Sequence, residues 1–136
     1  MYKKKRSFTV VELVVVAIII GILAMVAMPT YQVTRERTLG NEARANLRLV
    51  AAAERIYNME AGGAYPPAGT ITNPATILSN LRVTLNENNW DYSITGGGGV
   101  NYSATAARNG TGGFLDCAWT VNNVVPEPLK NASCPQ

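Results

Sequence analysis

The feature that most constrains this chain is a long apolar stretch close to its N-terminus. From Leu13 to Met28 no side chain is charged or strongly polar, and Val, Ile and Leu predominate. Extended back to Phe8, the stretch has 21 residues and a single charge, Glu12. As a helix rising ~1.5 Å per residue, it is about 30 Å long, which equals the hydrocarbon thickness of a bilayer. The sequence therefore predicts a membrane-spanning helix.

The positive charge of the chain is concentrated before this stretch. The formal net charge is +3 and the pI is about 9.0, which could indicate an acidic partner such as nucleic acid. Four of the twelve basic residues lie at positions 3–6, however, and without them eight basic residues face nine acidic ones. By the positive-inside rule this cluster stays in the cytoplasm. We therefore expect no specific nucleic-acid partner.

The composition argues against most kinds of catalytic site. The chain has no histidine, which excludes His-dependent triads and histidine-ligated metal sites, and its two cysteines cannot form a four-cysteine site. The Gly96–Gly99 run lacks the Lys and the following helix of a phosphate loop. The carboxylates Asp91, Asp116 and Glu127 have no obvious partner base or nucleophile. We expect no enzyme activity, no cofactor and no metal site.

Three interpretations of the N-terminal segment compete. A cleaved secretory signal needs small residues at −3 and −1 after the apolar core, and residues 24–29 supply no clean pair. A plain membrane anchor fits the length, but it leaves Glu12 unexplained, because a carboxylate within a span costs ~2–3 kcal/mol at depth. The third interpretation is a segment in which Glu12 has a role in assembly. For Glu12 itself there is also a local explanation, because Thr9 and Glu12 match a capping box, in which the glutamate bonds back to the Thr9 amide.

Residues 5–29, with the sequence KRSFTVVELVVVAIIIGILAMVAMP, resemble the class III signal of type IV pilins and type II secretion pseudopilins. That family has a short basic leader and a cleavage site. Phe and Thr follow, then Glu at the fifth mature position and Pro at the twenty-second. Phe8, Thr9, Glu12 and Pro29 occupy the matching positions, whereas Ser7 stands where the family usually has Gly.

The resemblance implies that a prepilin peptidase cleaves between Ser7 and Phe8, that the new Phe8 amine is methylated, and that the apolar helices stack into a helical filament. Glu12, near Thr9, would then pair with the Phe8 amine of a neighbouring copy. Pairing makes a carboxylate tolerable in a low-dielectric setting and so fixes the register of assembly. The implied partners are other copies of the chain, the peptidase, the inner-membrane assembly machinery and, before assembly, the membrane.

The helix is expected to bend at Pro29 and then to continue, because apolar residues recur at helical spacing beyond it. Gly62 and Gly63 should end it. A continuous helix from Phe8 to about Ala61 would measure roughly 80 Å. Residues 62–89 are expected to be an irregular connection containing a short helical turn at 74–80. The residues expected to face the core are Leu39, Ala43, Leu47, Val50, Ala51 and Tyr57 from the helix, and Ile77, Leu78 and Leu81 from the connection.

The C-terminal part reads as an antiparallel meander of three or four strands. Alternating apolar residues predict strands at 90–95 and 100–106, with a third at 114–121, and glycine-rich turns separate them. The apolar face of such a sheet must be covered, and the amphipathic helix is available to cover it. The predicted fold class is therefore α+β, and the resemblance implies that it is the pilin fold.

Cys117 and Cys134 lie 17 positions apart. Outside the cytoplasm they are expected to form a disulfide, which would contribute about 3 kcal/mol, and two free buried thiols are the alternative. Their position resembles the C-terminal disulfide region of type IV pilins. The predicted organisation is a leader at 1–7, a transmembrane and filament-core helix at 8–29, an amphipathic helix at 30–61, a connecting loop at 62–89, and the sheet with the disulfide region at 90–136.

The sequence favours a structural subunit of a type IV pilus, used in adhesion or motility. Such a subunit is first a single-pass inner-membrane protein with a cytoplasmic N-terminus and then part of an extracellular pilus. The alternatives are a pseudopilin in a periplasmic pseudopilus, a minor or DNA-uptake pilin and, outside the family, a membrane-anchored binding module or enzyme. Within the family, the disulfide favours a pilus, since major pseudopilins tend to use a calcium site. Only Arg82, Arg108 and Lys130 offer basic charge for DNA in the C-terminal part.

Overall fold

Two helices and five strands form the part of the chain described by the structure, a computed structural model that covers residues 8–65, 69–96, 99–110 and 114–135. The chain divides into two compact units, Met1–Arg35 and Glu36–Gln136. In chain order the elements are α1 (Val10–Glu60), β1 (Gly69–Ile71), α2 (Pro74–Leu81), β2 (Trp90–Gly96), β3 (Tyr102–Arg108), β4 (Ala118–Asn122) and β5 (Leu129–Lys130).

Helix α1 continues through Pro29, as predicted. The proline has no N–H to donate to the carbonyl of Met25, so one helical hydrogen bond is missing there. Further along, the hydroxyl of Thr34 donates to the carbonyl of Thr30 at 2.9 Å. Helix α1 ends at Glu60, and Gly62 and Gly63 follow with φ of 69° and 97°, a backbone conformation that glycine adopts without steric cost.

The strands form one antiparallel sheet in the order β1-β2-β3-β4-β5, so each strand pairs with its neighbour in sequence. Trp90 pairs with Arg108 across β2 and β3, and Ala104 pairs with Val121 across β3 and β4. Alternate residues of β2 and β3 are buried, which confirms the predicted period of two. The buried residues of these two strands are Trp90, Tyr92, Ile94, Gly96, Tyr102, Ala104 and Ala106.

Residues 36–60 of α1 cover the apolar face of this sheet and form the core with it. Ala43, Leu47 and Val50 lie on one helical face and are at most 1% exposed. Hydrogen bonds also join the layers. Among them, Trp90 Nε1 donates to the Leu39 carbonyl at 3.0 Å, and Asn46 Nδ2 donates to the Tyr92 hydroxyl at 2.7 Å. The predicted α+β, pilin-like fold class is confirmed.

The short helix predicted at 74–80 is present as α2. Asn73 caps its N-terminus by accepting the Ala75 N–H at 2.9 Å, and Pro74 occupies the first turn, where no N–H is needed. Ile77 and Leu81 are buried as expected, but the prediction for Leu78 was wrong, because this side chain is 47% exposed.

Several strand boundaries also differ from the prediction. The meander has five strands, because β1 lies inside the segment expected to be a loop and β5 follows β4. Residues 114–116 form a turn, and β4 begins only at Ala118. Val100 lies before β3 and is exposed, although it continued the alternating pattern. The predicted turns at 96–99 and 109–113 fall partly outside the described residues.

Candidate functional site

The N-terminal unit presents an uninterrupted apolar surface. Every large apolar side chain from Phe8 to Met28 is between 49% and 79% exposed. Monomeric soluble proteins rarely expose contiguous apolar surface on this scale, and such a surface marks an interface with a membrane or another protein. By length and composition, α1 has one stretch that is able to cross a membrane, and none of that stretch is buried.

Thr9 and Glu12 form the capping box at the start of α1. Glu12 Oε2 accepts both the Thr9 backbone N–H and the Thr9 hydroxyl at 3.0 Å, and the Glu12 N–H donates to Thr9 Oγ1 at 3.3 Å. These bonds satisfy donors that a helix N-terminus otherwise leaves free. Within a single chain, Thr9 and Glu12 therefore form the capping box that their spacing predicts. The Glu12 carboxylate is exposed and can also accept a hydrogen bond from a donor on another molecule.

The remaining predicted site residues are spread over both units. Phe8 is described and exposed, whereas Ser7 lies outside the described residues. Cys117 and Cys134 form the predicted disulfide, and each is 4% exposed. The bond ties the start of β4 to the segment after β5, so the C-terminal end of the chain is fixed to the sheet.

Arg108, which the sequence offered as a basic surface residue, lies in a largely buried ion pair. Its guanidinium donates to both carboxylate oxygens of Glu36, at 3.0 and 3.2 Å, and also to the carbonyls of Asn89 and Asn109. The Arg108 and Glu36 side chains are 6% and 11% exposed. This group therefore joins α1 to β3 and is not available to bind a nucleic acid.

Glu54 is a buried acid that the sequence reasoning missed. It is 0% exposed, and both of its carboxylate oxygens lack a hydrogen-bond partner within the described residues. Desolvation raises the pKa of Glu54 to about 7. Burial raises the pKa of Tyr102 to about 12, and the charge of Glu54 adds to that shift. The spacing contained a signal, because Glu54 follows Leu47 by seven positions and Val50 by four, and so continues their buried face.

Two of the carboxylates singled out from the sequence, Asp91 and Glu127, make ordinary surface contacts. Asp91 accepts a hydrogen bond from Asn109 Nδ2 at 2.7 Å, and Glu127 pairs with Arg48 at 2.8 Å. Within residues 8–65, 69–96, 99–110 and 114–135, no group of three or more His, Cys, Asp or Glu side chains is placed to hold a metal ion.

The apolar N-terminal helix and the helix-covered meander are features of a pilin-like fold. Residues 2–28 match the family model described as the prokaryotic N-terminal methylation motif. The chain is also similar to the type IV major pilin protein PilA of Myxococcus xanthus (strain DK1622), with 37% identity over 57 residues. The resemblance to type IV pilins predicted from the sequence is thereby confirmed.

The extent of this similarity is limited. The alignment covers 42% of this chain and 26% of the Myxococcus protein, so the chain spans about a quarter of the length of that relative. No solved structure matches the chain significantly. The motif and the apolar helix fit membrane anchoring.

Proposed function

We propose that this chain is a structural subunit of a type IV pilus. The observation that carries the proposal is the exposed apolar surface of residues 8–28 with one carboxylate near its start. Association of such helices removes apolar surface from contact with water or lipid and aligns the copies along a filament axis. In water this burial is worth ~25 cal/mol per Å².

The proposed maturation starts with cleavage between Ser7 and Phe8, which removes the basic leader 1–7. Phe8 then carries a free amine, which is methylated, and Glu12 of an incoming copy pairs with the Phe8 amine of its neighbour. The proposed division of the mature chain is a filament-core helix at 8–29, bent at Pro29, and a helix at 30–61 that carries the head. The connection 62–89 and the sheet region 90–136 form that head. The subunit moves from the inner membrane to an extracellular filament.

Intact-mass measurement and electron microscopy of surface filaments test this function. We expect filaments that contain the chain without residues 1–7 and with a methylated N-terminus. A dispersed protein that still begins at Met1, in cells that form no filament containing it, would contradict the proposal.

Substitution of Glu12 by Gln separates capping from pairing between copies. Glutamine keeps an oxygen that can accept the same two bonds from Thr9, but it loses the charge. Loss of a charge-assisted bond costs ~1.5–3 kcal/mol, so we expect at least about tenfold fewer filaments with normal membrane insertion. The matched control is Thr9→Val, which removes the cap hydroxyl and keeps the acid. A Glu12→Gln variant that assembles like the wild type would refute the pairing.

A further inference from the structure

A cavity of about 340 Å³ lies beside the disulfide in the C-terminal unit, between α1 and the strands β4 and β5. Arg37, Gly40 and Arg44 line it from the helix, and Trp119 and Lys130 line it from the sheet. Its volume is in the range of small-molecule sites, at the size of one sugar or amino acid. The site is separate from the apolar surface of residues 8–28 and from the buried Glu54.

The charges around this cavity are unbalanced. Three cationic side chains line it, those of Arg37, Arg44 and Lys130. Among the described residues that line it, the one acid is Glu36, and both carboxylate oxygens of Glu36 accept hydrogen bonds from Arg108. Within the described residues neither Arg37 nor Arg44 has a carboxylate partner. The cavity therefore has a surplus of positive charge.

The cavity wall also contains two hydrogen-bond donors without acceptors. Arg44 Nε and Trp119 Nε1 are both buried and have no partner in the described part of the chain. An unpaired buried donor costs ~1–3 kcal/mol, so native structures satisfy such groups with protein, water or a ligand. The other tryptophan provides a contrast, because Trp90 Nε1 donates to the Leu39 carbonyl at 3.0 Å.

Three further contacts position the polar groups of the cavity wall. The Arg44 guanidinium carbon lies 5.4 Å from the centre of the Trp119 ring, so the planar cation stacks on the indole. Gly40 lets the indole pack directly against the helix, because a Cβ at this position would lie 3.3 Å from Trp119 Cζ2 and 3.5 Å from Nε1. Lys130 Nζ is held at the wall by its bond to the Pro135 carbonyl at 2.7 Å.

The geometry points to a binding site for a small molecule that carries an oxyanion, a carboxylate or a phosphate. Guanidinium groups bind both anions through paired N–H donors, and the indole N–H supplies another donor. The volume limits the ligand to a compact group rather than a chain that passes through the site.

The test measures the two indole N–H signals in the full chain, labelled with ¹⁵N and held in non-ionic detergent micelles at pH 7 and constant ionic strength. Sodium glucuronate probes the carboxylate, glucose is its neutral analogue, and inorganic phosphate probes the other oxyanion. We expect a saturable shift of the Trp119 signal with glucuronate, with phosphate or with both. The Trp90 signal should stay unchanged, and glucose should have no effect. If only one of the two oxyanions saturates the shift, the result shows whether the site binds a carboxylate or a phosphate.

Three variants test the residues involved. Arg44→Gln and Arg37→Gln should each weaken binding by about tenfold, since each removes a charge-assisted bond, and Gly40→Ala should weaken it by narrowing the site. Arg37 is exposed, so its variant is expected to fold even if Arg44→Gln does not. The matched control is Arg82→Gln, which removes the same charge from a side chain that is 82% exposed and does not line the cavity.

Several results would overturn the inference. One is the lack of a saturable Trp119 shift with either oxyanion. An equal shift with glucose would indicate a site that does not select charge. An equal loss of affinity in Arg82→Gln would show that only the overall charge matters. None of these readouts depends on filament assembly, so the pilus proposal and this site can fail independently.

Discussion

Replacing Glu54 should raise the stability of the C-terminal unit at neutral pH. The pKa of this buried carboxyl is raised from 4.5 to about 7 by desolvation, a difference of about 2.5 pH units. One unit is equivalent to 1.36 kcal/mol, so the ionised acid costs the folded state about 3 kcal/mol. Glu54→Leu removes the charge and supplies apolar contacts, and we expect a gain of about 3 kcal/mol at pH 8. Glu54→Gln should gain less, because its amide would be buried without partners.

Glu54 makes the free energy of unfolding depend on pH, and the sign of this dependence follows from the raised pKa. Below about pH 4.5 the acid is protonated in both states and costs nothing. Between pH 4.5 and 7 only the unfolded chain releases the proton, so the folded state loses stability as the pH rises, by up to ~1.4 kcal/mol per unit. Above about pH 7 the penalty is complete and constant. Both Glu54 variants should lack this slope.

The assay is denaturant unfolding of the full chain in non-ionic micelles at pH 5, 6, 7 and 8, followed by tryptophan fluorescence. Both tryptophans lie in the C-terminal unit, so the signal reports on its unfolding. Burial and the charge of Asp91 also raise the pKa of Glu87, but this contribution is shared by wild type and variants and cancels in the difference. Glu60→Gln, an exposed change on the same helix, should retain the wild-type slope. A Glu54→Leu variant with the wild-type slope and stability would refute the reasoning.

Three further predictions concern the same unfolding measurement. Cys117→Ser with Cys134→Ser should lower stability by about 3 kcal/mol, and a reducing agent should then have no added effect, whereas an unchanged stability would contradict the role of the bond. Arg108→Gln should cost ~3–5 kcal/mol, because it leaves Glu36 buried without its partner. Arg48→Gln, which breaks the exposed pair with Glu127, should cost at most ~1 kcal/mol, and similar losses for the two arginine variants would refute the distinction. Asn73→Ala should cost ~1 kcal/mol by removing the N-cap of α2, and Asn73→Ser should restore most of that loss.

The regular patterns in the sequence predicted the regular parts of the fold. The period of two in residues 90–95 placed Trp90, Tyr92 and Ile94 on one buried face, and helical spacing placed Ala43 and Leu47 on another. Short elements carried too little pattern to be recognised. Strand β1 has three residues and β5 has two, and both form because a neighbouring strand already offers its edge. Leu78 was assigned to the core on hydrophobicity alone, although the orientation of α2 leaves it exposed.

Part of the candidate sites could also be read from the sequence. The apolar stretch 8–28, the acid within it and the Thr9–Glu12 cap depend on residues that are close in the chain, so local spacing defines them. The position of Glu54 on the apolar helical face is also a local signal of its burial. The cavity beside the disulfide has no recognisable pattern in the sequence. Arg44 and Trp119 are 75 positions apart and meet only when β4 packs beside α1.

The sequence by itself determined the elements whose physics is local: the uncharged helix, its cap, and the alternation of the long strands. The tertiary structure alone decided which polar groups lost contact with water. Glu54 and Arg108 are both charged residues, yet within the described part of the chain Glu54 is buried without a hydrogen-bond partner and Arg108 lies in an ion pair. Burial depends on what packs against a residue from distant parts of the chain, and neither composition nor spacing records that neighbour.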